Sequence, residues 1–357
     1  MEKIVKIYLK AFIGKNLGDD LFIDIITKRY PKEKFLIDYR AKYLNNENLI
    51  FYKKSKFNKL LGKILNICSC SKINYETIVS KTCDLSVMIG GSMFIEGSSK
   101  YVENLKEPLF IIGSNFGPYK TEKFLKKNEK IFSFAYDVCF RDKKSFDLFK
   151  NLSNVRYSTD IVFSYKNPAI KVTEDKKVVI SVIDCDFKAK ELGNNYREDY
   201  ENKIVEFIEF FNSKNYEVIL MSFCEAQGDE IAINRIMKKT KVNVSKFYYT
   251  GDIEKAINII ASSSIVVGTR FHANILGLLY HKTIIPISYS NKTDNILKDL
   301  DFKGKILDIK NIKNVDVFSL SDKDLKYKIS IDKQIEQANV HFEKLDKYID
   351  SKGVKNE

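Results

Sequence analysis

The sequence predicts an α/β protein of two domains, each built on a parallel sheet with crossover helices. Three observations lead there. Short β-branched and aromatic runs alternate with segments of helical period, the pattern of βαβ units. The chain has 357 residues, more than one core usually holds. The polar, proline-containing stretch SYKNPAIKVTEDKK, residues 164–177, separates one set of strands and helices from the next.

In the first set, strands are expected at 3–10, 33–38, 84–89, 109–113 and 136–140. In the second they are expected at 178–183, 216–223, 264–268 and 283–288. REDYENKIVEFIEFFNSK, residues 197–214, puts Ile204, Val205, Ile208 and Phe211 on one face and predicts an amphipathic helix. Domains are expected at 1–168 and 169–320. A helical tail, 321–357, then packs back on the N-terminal domain. No short internal repeat is visible.

Composition narrows the class. With 44% hydrophobic and 30% charged residues the chain can build cores and has no disordered bias. Its net charge of +13, from 60 basic against 47 acidic residues, favours anionic partners, although a surface of solvated lysines explains it equally well. Of the six cysteines only Cys68 and Cys70 are close, and no second pair completes a zinc site. A reducing cytoplasm follows. MEKIVKIYLKAF carries charges among its apolar residues and no cleavage site, so it reads as a first strand rather than a signal peptide. No run is long enough to span a bilayer.

The chemistry concentrates in VVGTRFHANILGLLYHKTIIPISYSNKTDNI, residues 266–296. SIVVG is a buried strand and HANILGLLY the helix after it, so Arg270 and His272 fall at a helix N-terminus, where free N–H groups and the dipole favour an anion. TIIPIS is the next strand, and Lys292 begins the helix that follows it. Adjacent parallel strands present such loops on one carboxyl edge, where open α/β sheets bind ligands. Arg270 could instead cap a neighbour, and Lys292 is one of many lysines. His281 reads as a helix C-cap. His341, in the tail, carries no special signal. GDE at 228–230 reads as a helix cap.

Glycine-containing loops follow three strands of the first set: GKNLGDD with Gly14 and Gly18, IGGSMF with Gly90, Gly91 and Ser92, and IIGSNFGP with Ser114 and Asn115. None fits a dinucleotide fingerprint or phosphate loop. Asp19 and Asp20 are either N-caps of the next helix or groups that hold or deprotonate a hydroxyl of a second substrate. In YDVCFRDKKSFDLF, Arg141 projects where a strand meets a helix and is a second candidate anion ligand, expected across a cleft from the first three.

With those residues assembled, the chain resembles the polysaccharide pyruvyl transferase family. The resemblance runs from NLGDDL through IGGSMF, IIGSNFGP, FRDKKS, STDIVF and SFCEAQGDEIA to TRFHANILGLLYHKTIIPISYSNK. It implies a GT-B-like fold, two Rossmann-like domains facing across a cleft. It also implies transfer of the enolpyruvyl group of phosphoenolpyruvate onto a sugar of a cell-surface polysaccharide precursor, closed into a pyruvate ketal. By match of motif, Arg141, Arg270, His272 and Lys292 are the phosphoenolpyruvate site, with Arg270 and His272 catalytic and His272 the general acid. Asn16, Asp19, Gly90, Gly91, Ser92, Ser114 and Asn115 face the acceptor. The chain departs from the family at Ser92, often a third glycine, and at Ser114-Asn115, often Gln-Gly.

The chemistry agrees, because arginine forks suit a phosphate and a carboxylate. Proton delivery to C3 needs an acid that titrates near neutrality. No cofactor or metal is called for beyond the donor. A lipid-linked acceptor is expected, so the enzyme would sit in the cytoplasm at the inner face of the membrane. FYKKSKFNKLLGKILNICSCSK, residues 51–72, has the makeup of an interfacial helix for anionic lipid as well as of an ordinary core-facing one. Two rivals remain: a GT-B glycosyltransferase using a nucleotide sugar, and a non-enzymatic anion-binding or nucleic-acid-binding protein. The first lacks an acidic pair in the second domain, and the second shows no RNA-binding aromatic motif or recognition helix, so no nucleic-acid partner is expected.

Overall fold

Two parallel sheets organise the computed structural model of the protein, which describes residues 4–53, 75–98, 104–193 and 195–353. The chain divides into two units. Unit 1 comprises Met1–Ile13, Asp19–Tyr165 and Glu336–Glu357, and unit 2 comprises Gly14–Gly18 and Lys166–Ile335.

The sheet of unit 1 contains β1 (Lys6–Lys10), β2 (Lys34–Asp38), β3 (Leu49–Tyr52), β4 (Leu85–Ile89), β5 (Leu109–Ser114), β6 (Asp137–Phe140) and β7 (Val155–Tyr157). Their order is β3-β2-β1-β4-β5-β6-β7, parallel throughout. Unit 2 contains β8 (Lys177–Ser181), β9 (Glu217–Met221), β10 (Ser245–Phe247), β11 (Ile265–Gly268), β12 (Thr283–Ser288) and β13 (Leu307–Asp308). These run in the order β10-β9-β8-β11-β12-β13, again parallel. Both orders are Rossmann-like, with the switch point between β1 and β4 in one unit and between β8 and β11 in the other.

All nine expected strands form, with ends shifted by a few residues. The four that periodicity did not predict, β3, β7, β10 and β13, are the outermost strands of the two sheets. The physical reason is shared. An outer strand pairs on one side only and is only partly covered. SKF in β10 is largely exposed, and LD in β13 is two residues long. LIFY in β3 is apolar but four residues long, with Ile50 40% exposed. Such segments carry too little buried alternation to read as strands.

Central strands are buried on both faces and covered by helices. In unit 2 the helix Arg197–Ser213 lays Ile204, Phe207, Ile208 and Phe211 against Val178, Ile180 and Val267. Each such side chain contributes about 1.5–3 kcal/mol on burial. In unit 1, Phe132 packs edge-on to Phe94 at 4.9 Å and to Phe149 at 4.8 Å.

Chain order and space part company near the C-terminus. Unit 2 extends through Ile335, and the return to unit 1 starts at Glu336, later than the tail of 321–357 expected from the sequence. Leu320 and Leu325 explain the difference, since both are buried in the core of unit 2. From Glu336 onward the segment is tied to the region of β7. Arg156 forks onto Asp137 at 2.7 and 2.9 Å and also donates to the carbonyls of Val340 and His341. The Ser158 hydroxyl donates to the Gln337 carbonyl at 2.5 Å.

Among the described residues no helix is long and apolar enough to cross a membrane. Phe51 and Tyr52, which open the basic apolar stretch, belong to β3, and its residues 54–72 lie outside the described residues.

His341 is fully buried, with Nε2 2.7 Å from the Thr159 carbonyl. Burial pulls its pKa down to about 4, an effect that the Thr159 carbonyl opposes and Arg156 reinforces. The unfolded chain takes up this proton near pH 6.5 and the folded chain only near pH 4, so stability falls as pH falls through that window. His341→Gln keeps an N–H donor for Thr159 and removes the titration. In urea unfolding, the stability lost between pH 7 and pH 5 is expected to shrink by about 2 kcal/mol. An unchanged loss would assign the acid sensitivity elsewhere.

Candidate active site

Unit 1 gathers its candidate residues around Arg141. The chain leaves β6 at Phe140, and Arg141 is buried with 6% of its surface exposed. Its Nη1 donates to Asp160 Oδ2 at 2.9 Å and its Nη2 to Asn115 Oδ1 at 2.9 Å. Asp160 is fully buried and also accepts from the Val162 N–H at 2.9 Å. A Cβ on Gly91 would stand 2.4 Å from Arg141 Nη2, so the guanidinium lies where only glycine leaves room. Ser92 donates to Asn115 Oδ1 at 3.3 Å, and Ser114 donates to the Gly90 carbonyl at 2.7 Å. Gly90, Gly91, Ser92, Ser114, Asn115 and Arg141 are therefore one connected group at the carboxyl ends of β4, β5 and β6. Arg141 shares it with the residues assigned to the acceptor.

Unit 2 builds its group at the carboxyl ends of β8, β9, β11 and β12. Arg270 is the N-cap residue of the helix Phe271–Leu279. Its guanidinium meets Asp229 with both Nε, at 3.0 Å, and Nη2, while Nη1 donates to Gln227 Oε1 at 2.5 Å. Asp229 is fully buried, and its Oδ2 also accepts from the N–H groups of Phe223 and Cys224, each at 2.9 Å. Burial opposes the charge on Arg270, the Asp229 carboxylate outweighs that, and the guanidinium is held above its ordinary range. Ser181 Oγ, at the end of β8, accepts from the N–H groups of Thr269 and Arg270 at 2.9 and 3.1 Å. Asn274 donates to the Gly268 carbonyl at 2.9 Å and closes the turn from below.

His272 is the second residue of that helix, half-buried, with its ring edge-on to Phe271 at 5.0 Å. Lys292 is the second residue of the helix Asn291–Asp299, whose preceding strand β12 pairs with β11. Neighbouring strands thus deliver Arg270, His272 and Lys292 to one edge of one sheet.

The loop Gly14–Gly18 clusters with unit 2 although β1 belongs to unit 1. Leu17 N–H donates to the Phe223 carbonyl at 2.9 Å, and Asn16 bridges to Cys224. Asn16 precedes the helix Leu17–Arg29 and accepts the Gly18 N–H at 3.1 Å. Asn16, and neither Asp19 nor Asp20, thus serves as the cap. The two aspartates lie inside the first turn, where they complement the helix dipole, and Asp20 accepts from the Tyr43 hydroxyl at 2.6 Å.

GDE does open and cap a helix, but its Asp229 has a further partner. The helix begins at Asp229 itself, with Gly228 in the cap position, and the carboxylate turns to Arg270 and to two backbone amides. Asp160, Ser181, Gln227 and Asn274 were also missed by sequence reasoning. Asp160 lay in STDIVF and Gln227, with Asp229, in AQGDE, yet nothing local says which arginine a buried carboxylate will meet.

A family model described as polysaccharide pyruvyl transferase matches residues 16–291. The amylovoran biosynthesis protein AmsJ of Erwinia amylovora is 21% identical, covering 89% of this chain and 88% of that protein. Among solved structures, Anabaena Alr3699/HepE in complex with UDP-glucose superposes with a TM-score of 0.57 at 12% identity, covering 97% and 98% of the two chains. UDP-GlcNAc 2-epimerase from Neisseria meningitidis superposes with a TM-score of 0.58 at 8% identity, covering 97% and 99%. These likenesses show the GT-B-like fold of two parallel-sheet α/β domains.

Gly18 sits against the ring of His272, and a Cβ there would lie 1.8 Å from Nδ1. Gly18→Ala must therefore displace the imidazole or the loop. Turnover is expected to fall about a hundredfold while the melting temperature drops by only a few degrees, since a misplacement of about 1 Å at a reacting group costs about that much. Wild-type kinetics in a folded Gly18→Ala protein would show that the position of His272 is immaterial.

Proposed function

Because the chain belongs to the polysaccharide pyruvyl transferase family, we propose that it moves the enolpyruvyl group of phosphoenolpyruvate onto a sugar of a cell-surface polysaccharide precursor and closes it into a pyruvate ketal. The observation that carries this reading is the delivery of Arg270, His272 and Lys292 to the carboxyl edge of unit 2, a proton carrier and two cations at the N-termini of helices that follow adjacent strands.

In this reading the N–H groups at the start of the helices Phe271–Leu279 and Asn291–Asp299, together with Lys292, hold the anionic groups of the donor. Arg270, braced by Asp229, presents its remaining N–H groups in one orientation. A sugar hydroxyl attacks C2 while the His272 imidazolium gives its proton to C3; the C–O bond forms as the C2=C3 π bond breaks, C3 becomes a methyl group, and the proton released by the hydroxyl recharges the imidazole. A second hydroxyl then displaces phosphate from C2, the new C–O bond replacing the one to the phosphate oxygen, and inorganic phosphate leaves with that hydroxyl's proton. In unit 1, Arg141 is read as a phosphoenolpyruvate ligand, and Gly91, Ser92 and Asn115 beside it as acceptor contacts. The acceptor is a sugar, lipid-linked in this reading.

Incubation with phosphoenolpyruvate and a panel of lipid-linked or nitrophenyl sugars, read by phosphate release, tests the reaction. Phosphoenolpyruvate is expected to raise the melting temperature of the wild type and UDP-glucose to leave it unchanged; the reverse would favour a nucleotide-sugar donor. His272→Gln is expected to lower kcat by about 10²–10⁴-fold with phosphoenolpyruvate binding nearly kept. Full activity in that variant would remove the acid role.

A further inference from the structure

Unit 2 contains a buried pair of hydroxyl groups that no step of the proposed reaction uses. Tyr200 is the fourth residue of the helix Arg197–Ser213, and Thr269 is the residue before Arg270. Both are fully buried, and their hydroxyl oxygens lie 3.0 Å apart. The Tyr200 oxygen also accepts the Ile183 N–H at 3.2 Å, two residues beyond the end of β8. The ring of Tyr200 belongs to the apolar core of the unit, so packing accounts for the ring. It does not account for the hydroxyl, because a phenylalanine would fill the same space with no polar group to satisfy.

What the hydroxyl holds is the turn after β11. Thr269 is tied at two places, by its side chain to Tyr200 and by its N–H to Ser181 Oγ at 2.9 Å. The next N–H, that of Arg270, meets the same Ser181 oxygen at 3.1 Å. Two N–H groups converging on one atom leave a turn able to pivot about that atom. A third attachment away from it, at Thr269 Oγ1, limits the pivot. Arg270 is the N-cap of the helix Phe271–Leu279 and His272 its second residue, so a rotation at Thr269 is carried directly into the direction of both side chains.

We propose that Tyr200 is a positioning residue for this turn: through Thr269 its hydroxyl sets the direction in which Arg270 and His272 leave β11. The consequence for turnover rests on the reaction proposed above, whereas the consequence for His272 is read without any substrate. Tyr200 takes no part in the proton transfer itself. It links the start of one helix and the loop after β8 to the turn that opens another, and so converts a core residue into a brace for the imidazole.

The chain has three histidines, His272, His281 and His341, so the imidazole nitrogen resonances of the full chain with isotopically labelled histidine form three sets, assigned by single His→Gln substitutions. Tyr200→Phe is expected to shift the His272 set. It should leave His281, past the far end of the same helix, and His341, in the other unit, where they are. In turnover, Tyr200→Phe is expected to lower kcat about tenfold, with the Kd for phosphoenolpyruvate within about threefold of wild type and the melting temperature lower by only a few degrees. Thr269→Val removes the same bond from its other side and should reproduce these losses, and the double variant should be no worse than either single one. Thr269→Ser keeps a hydroxyl there and should return kcat to within about threefold of wild type. Unmoved His272 resonances in a folded Tyr200→Phe protein overturn the assignment. So do a kcat within about twofold of an active wild type and a double variant whose losses multiply. A wild type that releases no phosphate from phosphoenolpyruvate removes the reaction reading instead, and the His272 resonances still decide whether Tyr200 positions the turn.

Discussion

The buried pair of Asp229 and Arg270 is the interaction on which the site in unit 2 depends. A guanidinium and a carboxylate taken out of water cost several kcal/mol each unless they meet in good geometry with their remaining groups satisfied. Here the carboxylate receives two guanidinium nitrogens and two backbone amides, and the arginine adds Gln227. These bonds bind the turn after β11 to the loop after β9. Ser181 adds the end of β8 by accepting the Thr269 and Arg270 amides. Through Phe223 and Cys224 the same frame reaches Leu17 and Asn16, and so the glycine that lies against His272. The imidazole stands in a frame braced from several strands, as preorganised chemistry requires.

Unit 1 repeats the device with other residues. Arg141 is buried against Asp160 and Asn115, and Gly91 yields it the space of a side chain. In both units an arginine sits at the carboxyl edge of a parallel sheet, and a carboxylate distant in sequence fixes its direction. Pairing of this kind trades net charge for orientation. In the function proposed above, such arginines act by directed hydrogen bonds more than by net charge. The chain belongs to the polysaccharide pyruvyl transferase family, and its fold is shared with Anabaena Alr3699/HepE, so the fold by itself names no substrate.

Much of the architecture was legible before any coordinates. Central strands announced themselves because a strand buried on both faces needs a continuous apolar run, as SIVVG and TIIPIS show. Arg270, His272 and Lys292 were legible because a strand followed at once by a helix puts its junction at the carboxyl edge, a purely local inference. The outer strands were not. SKF and VRY are short and half-covered, so their identity comes from the neighbour they pair with. Nor was the partition of the tail legible, since Leu320 and Leu325 could have served either core.

The sequence by itself determined the two parallel sheets, the family motifs and the positions at which basic side chains leave them, because each depends on periodicity and helix starts within a few residues. Only the tertiary structure decided that Asp229 lies against Arg270, 41 residues away, and Asp160 against Arg141, 19 residues away. It also decided that residues 14–18 join the second unit and that His341 is buried beside Thr159. Such choices rest on which buried charge finds a partner and which small residue leaves room. Those are properties of packed neighbours, and chain order does not contain them.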